Sequence, residues 1–219
     1  KGSLFTSISF DNTDDFYNAR EGMRAAVNFE YAQLNGDLEG AEAIFYDEYT
    51  DTFKTSAKVG FYYGLEDWID YDLILRLKAR ATYINRDKDK KLPTGEKLFM
   101  GGIGSVRGFD PYSLAPQSAN GELIGGTQRA SGSVEASIPL SQAAKMRLAF
   151  FYDYGYISND ADIFEGNDIL VNDISRSSAG VVIEWQSGFG PINLVFAYPV
   201  DEEEGDRTSV FEFSMGTRF

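Results

Sequence analysis

Leu73-Ile74-Leu75-Arg76-Leu77-Lys78-Ala79-Arg80-Ala81-Thr82-Tyr83 alternates between two kinds of side chain. Successive residues of an extended chain point to opposite faces. The stretch therefore predicts a β-strand with Leu73, Leu75, Leu77, Ala79, Ala81 and Tyr83 on one face and Ile74, Arg76, Lys78, Arg80 and Thr82 on the other.

The same period of two recurs along the 219 residues. It runs from Met23 to Tyr31, Phe53 to Tyr63, Ala130 to Ile138, Met146 to Tyr156, Ala179 to Trp185, Ile192 to Tyr198 and Phe211 to Phe219. A weaker opening segment carries Leu4, Thr6, Ile8 and Phe10. The expectation is an all-β, antiparallel chain of eight strands, with a ninth in doubt over residues 3–10. In the eight strands, the charged side chains fall on the second face: Arg24, Glu30, Lys54, Lys58, Arg76, Lys78, Arg80, Arg129, Glu135, Arg147, Asp153, Glu184, Glu212 and Arg218.

Alternation does not say which face meets solvent, since a soluble barrel would turn its apolar side inward. Strand length does. Most runs reach about 9 to 13 residues, the span of a tilted membrane strand and more than the usual five or six. Aromatics gather near their ends as Tyr63, Tyr83, Tyr154, Tyr156, Trp185, Tyr198 and Phe219, which suits interfacial girdles. Short links at 65–70, 139–145 and 187–191 interleave with long acidic ones at 35–51, 85–126 and 158–173, and an acidic link follows at 200–207. This is the asymmetry of an outer-membrane barrel. Nine strands do not close antiparallel in a simple way, so either the first is incomplete or the chain is part of a larger barrel.

Composition narrows function. There are 34 Asp and Glu against 20 Lys and Arg, giving a net charge of −14. That argues against a nucleic-acid partner, which needs an excess of cations. The chain has no Cys and no His, which excludes disulfides, thiolate catalysis, the usual zinc sites and a serine–histidine–aspartate triad. Apolar runs stay far below the roughly 18 residues of a membrane helix. Lys1 opens no signal-like stretch, so a mature or excised segment is expected. No metal or cofactor is expected, and no catalytic residue is assigned. The fourteen strand charges comprise nine basic and five acidic residues, a net +4, so loops and ends must carry −18, concentrated in stretches such as 201–204 and 160–165.

The longest loop breaks the period with Gly101-Gly102-Ile103-Gly104-Ser105-Val106-Arg107-Gly108-Phe109. An arginine flanked by apolar residues in a glycine-dense run permits tight packing and positive φ, although such runs are also ordinary turn chemistry. Here the chain resembles the Omp85 superfamily of outer-membrane barrels, which includes the central subunit of the barrel-assembly machinery and the two-partner secretion transporters. Val106, Arg107, Gly108 and Phe109 match that family's loop-six signature. The resemblance implies that the loop folds back into the lumen and that Arg107 meets acidic residues of the following strands. Glu135 in Ser133–Pro139 and Asp153 in Phe150–Gly155 fit by their flanking text. Both already lie on the charged face, although they could instead pair with cations such as Arg129 or Arg147.

The terminal Phe211, Phe213, Met215 and Phe219 resemble the β-signal of outer-membrane proteins. Thr217 departs from it mildly, and Gly216 matches a glycine at the family's seam. The resemblance spans 1–219 as one partial barrel domain, the C-terminal half of a sixteen-stranded barrel without its POTRA domains. It implies an assembly factor that inserts β-barrel proteins through a lateral seam, without enzymatic chemistry. The implied partners are unfolded outer-membrane barrel substrates, the lipid bilayer of the outer membrane and accessory lipoproteins. A secretion or translocation pore of the same superfamily, a stand-alone small barrel, or a hydrolase using Glu135 and Asp153 stay open as alternatives.

Overall fold

A computed structural model describes residues 1–16, 18–34, 48–87, 90–118, 121–159, 169–171 and 173–216. Nine strands form one antiparallel sheet: β1 (Gly2–Asp11), β2 (Gly22–Gln33), β3 (Thr52–Gly64), β4 (Ile74–Arg86), β6 (Gln128–Ser141), β7 (Met146–Ser158), β9 (Asp173–Ser187), β10 (Gly190–Asp201) and β11 (Phe211–Met215). Each lies beside the next in that order. Two short strands, β5 (Gln117–Ser118) and β8 (Ile169–Val171), pair with each other outside it. A one-turn helix, α1 (Glu66–Ile69), fills the β3–β4 link.

The doubtful opening segment is a complete strand. β1 pairs with β2 through ten residue pairs, from Gly2 with Gln33 to Asp11 with Arg24. Its period is diluted because Phe5 stands on the otherwise polar face, opposite Glu30. Pairing with β2 overrides that weakness. β4 and β9 also run past their periodic cores and add Arg86 and Arg176 to the charged face. Two of the three strand prolines, Pro139 and Pro199, sit where the register slips, as expected of residues that cannot donate to a ladder.

The sheet turns its apolar side outward. In β7, Phe150 and Tyr152 are 50% and 46% exposed while their neighbours Phe151 and Asp153 are 5% and 1% exposed. A soluble barrel would show the reverse. The outward face carries Leu75, Leu77, Tyr83, Tyr154, Trp185, Phe196 and Tyr198, all exposed, as a lipid-facing surface requires. The inward face is concave enough for Arg76 of β4 to reach Glu184 of β9, three strands away (Nη2–Oε2 2.9 Å). A half-open hollow of about 980 Å³ lies against it.

The links 65–73, 142–145 and 188–189 share one end of the sheet with the described residues between β1 and β2, and β2, β4, β7 and β10 end at the other. At the short-link end, Asp72 takes Arg147 (Nη1–Oδ2 2.8 Å) and Arg20 (Nη2–Oδ1 3.0 Å). This ties two of those links to the start of β7. The acidic stretch 160–165 lies outside the described residues.

Candidate functional site

The link from β4 to β6 turns back onto the concave face. Its own main-chain bridges start the turn: Leu98 exchanges hydrogen bonds with Gly126 and Met100 with Leu114. Gly102 N–H then donates to Phe109 C=O (2.9 Å), closing the Gly101–Phe109 reversal. Val106 and Phe109 are fully buried and pack with Met100, Leu114, Ile84 and Ile157. Burying these two residues stabilises the fold by about 1.5 to 3 kcal/mol each. They therefore hold the loop by hydrophobic contact on either side of Arg107.

Arg107 meets the wall fork to fork. Its Nε donates to Asp153 Oδ2 (2.7 Å) and its Nη2 to Asp153 Oδ1 (2.6 Å), while its backbone N–H donates to Oδ2 (3.1 Å). Nη2 also reaches Ser133 Oγ (2.8 Å) and Glu135 Oε1 (3.0 Å). The guanidinium lies 3.6 Å over the centre of the Phe151 ring, where the ring's electron-rich face attracts a cation. Burial by itself would lower the arginine pKa. Hydrogen bonding and charge from Asp153, then Glu135, outweigh it and hold the pKa above the ordinary value. Arg107 thus keeps its charge inside the protein.

Glu135 is shared. Lys78 Nζ lies 2.9 Å from its Oε2 and Arg76 Nη1 3.5 Å. Charges therefore alternate through Asp153, Arg107, Glu135, Arg76 and Glu184, crossing β7, the loop, β6, β4 and β9. The other cations considered as partners point elsewhere: Arg129 donates to Phe99 C=O (2.7 Å) and Arg147 to Asp72. The two carboxylates converge on one guanidinium, so together they form a socket for Arg107.

The glycines have steric reasons. Gly108 has φ +89°, and a Cβ there would stand 3.1 Å from the Ala197 methyl. On β7, a Cβ at Gly155 would collide with Val106 Cγ2. The wall is hollowed where the loop presses on it.

Several contacts were not visible in the sequence. Glu212 of β11 accepts from the backbone N–H groups of Ile103 (Oε2, 2.8 Å) and Gly108 (Oε1, 2.9 Å). Arg80 donates to Gly104 C=O (2.8 Å). Ser133 and Phe151 complete the arginine socket. Alternation puts all four on the inner face, but strand parity says nothing about which backbone groups of a distant loop will face them. The loop also pairs with the β10–β11 link: Asp110 N–H donates to Arg207 C=O (2.8 Å) and Ser209 N–H to Gly108 C=O (3.0 Å).

In the terminal segment, Phe211, Phe213 and Met215 face outward and are 51%, 55% and 65% exposed. β11 pairs with β10 from Phe211 opposite Phe196 to Met215 opposite Ile192. Gly216 follows with φ +109° and donates to Pro191 C=O (2.8 Å). Phe219 lies outside the described residues. β1 and β11 are the two ends of the described sheet.

Comparison with known proteins gives a consistent picture. A family model described as the Omp85 superfamily domain matches residues 1–219. The outer membrane protein assembly factor BamA of Neisseria meningitidis is 30% identical over 158 residues, covering 60% of this chain and 20% of that protein. BamA of Neorickettsia risticii is 23% identical over 97% of this chain and 27% of its own length. The sorting and assembly machinery component 50 homolog of Xenopus tropicalis is 25% identical over 85% of the chain and 40% of that protein. Among solved structures, BamA from Haemophilus ducreyi lacking POTRA domains 1–3 superposes with a TM-score of 0.76 at 22% identity, over 96% of this chain and 41% of that one. The chain thus spans about a fifth to a quarter of the length of the bacterial relatives it matches.

Proposed function

This chain belongs to the Omp85 superfamily, and from that premise we propose that it is the C-terminal part of an outer-membrane protein assembly factor. Membership and the outward apolar face put its strands in the outer membrane. The substrates are unfolded outer-membrane β-barrel chains. They are received at a lateral seam formed by β11. Accessory lipoproteins are further partners. The relatives that support this carry the name outer membrane protein assembly factor.

The observation that carries the proposal is the pairing of an inverted sheet with a pinned loop. An apolar outer face commits the sheet to lipid, where an unpaired edge is costly because no water replaces the missing hydrogen bonds. An edge strand in such a place therefore tends to accept another strand, and strand addition satisfies it without bond chemistry. Arg107 with Asp153 and Glu135, supported by Val106, Gly108 and Phe109, anchors the loop behind that edge. Gly216 and the outward Phe211, Phe213 and Met215 belong to the seam strand, with Phe219 proposed as a further member of it.

Liposome reconstitution of the intact protein tests this. Faster folding of an added, urea-unfolded outer-membrane barrel is the expected result. No acceleration, together with steady ion conductance, would replace assembly with a pore.

A further inference from the structure

We propose that Glu212 is a positioning residue that couples the inner loop to the terminal strand, so that loop and strand shift together. The inference rests on β11 being the seam strand. Glu212 sits at the centre of β11, paired across the ladder with Val195. Its side chain leaves the sheet inward and receives two backbone donors of the loop, Ile103 N–H and Gly108 N–H, one on each carboxylate oxygen. Those donors bracket Arg107, five residues apart in sequence.

The arrangement differs from the arginine socket in what it joins. Asp153 and Glu135 stand on β7 and β6, in the middle of the sheet, where neighbours hold them on both sides. Glu212 stands on a strand of five residues at the end of the sheet. The same loop is thus tied to a fixed wall and to a lightly held edge. Main-chain bonds from Asp110 to Arg207 and from Ser209 to Gly108 bring the run before β11 into the same tie. A carboxylate accepting two N–H groups is stronger than a neutral acceptor, so displacing the loop pulls on β11, and displacing β11 strips two acceptors from the loop.

Amide hydrogen exchange of the intact protein in lipid nanodiscs, without any substrate, tests the coupling. In Glu212→Ala, the Ile103 and Gly108 amides and the β11 amides should exchange about tenfold faster, the change expected for losing a charged hydrogen bond. The Arg107 amide, held by Asp153, should be unchanged. Glu212→Gln keeps one carbonyl acceptor and should restore protection at one of the two loop amides. Arg107→Ala should also speed exchange in β11, and combining it with Glu212→Ala should add little, because the link is already cut; Asp153→Asn replaces Arg107→Ala if that variant fails to assemble. Unchanged β11 exchange in Glu212→Ala, or effects that simply multiply in the double variant, would overturn the coupling. Because no substrate is present, that failure is separate from the liposome folding result, which bears on the assembly function.

Discussion

Two ionic clusters in this molecule use the same groups in different surroundings. In the loop socket, Arg107 is gripped by Asp153 and Glu135, whose side chains are 2% and 3% exposed. At the short-link end, Asp72 is gripped by Arg147 and Arg20, but its side chain is 19% exposed and that of Arg20 31%. Burial makes the first cluster costly to form and far costlier to break on one side. Water competes for the second and screens it. The first therefore specifies one loop position, whereas the second adjusts how two links sit against the start of β7.

Breaking the buried cluster should have the largest effect. Arg107→Ala leaves two carboxylates without their shared cation, and truncating one partner of such a pair costs about 3 to 5 kcal/mol. Limited proteolysis of the intact protein in membranes should show new cleavage within residues 98–114, and the heat-modifiable band on semi-native gels should weaken. Unchanged cleavage and an unchanged band would mean that Arg107 is not what holds the loop.

Filling the hollow beneath the loop should come next. Gly155→Val places methyl groups where Val106 and Met100 already stand, an overpacking of about 1 to 3 kcal/mol. The same proteolysis assay should respond more weakly than to Arg107→Ala. If Gly155→Val proves neutral, the loop does not press on β7 as described.

The exposed cluster should matter least. Asp72→Asn should lower stability by about 1 kcal/mol or less, read as a small shift in the urea midpoint of unfolding from detergent or lipid. A loss as large as that of Arg107→Ala would erase the contrast between the two sites.

The same carboxylate makes a pH prediction. Burial by itself would raise the Asp72 pKa, but the Arg147 and Arg20 guanidinium groups overcome this and hold it below the ordinary value. A depressed folded pKa stabilises above the unfolded value, near pH 4, and the benefit fades as pH falls through the folded value. Wild type and Asp72→Asn should therefore differ at pH 7 and converge in strong acid. A difference that persists at pH 2 would show that charge is not the cause.

Much of the fold was legible because membrane strands obey a strict parity. Arg76, Lys78 and Arg80 alternating with Leu75, Leu77 and Ala79 fixed which residues share a face, and Glu135 and Asp153 fell beside them. β1 was harder, because Phe5 on the polar side blurs a short pattern that only pairing with β2 resolves. The loop was legible as Val-Arg-Gly-Phe text with a family likeness, and its acidic partners could be named from flanking residues. Glu212 could not, since its partners are backbone N–H groups at positions 103 and 108, and a backbone amide carries no side-chain signature.

The sequence by itself determined the strands, the sorting of charge to one face and the presence of an arginine loop, because these are local properties of alternation and composition. Only the tertiary structure decided that Glu135 is shared among Lys78, Arg76 and Arg107. It likewise decided that the loop touches both the middle of the sheet and its last strand. Those outcomes depend on how tightly nine strands curl and where a forty-residue link lands. Both are set by packing between residues far apart in the chain, and no local pattern encodes them.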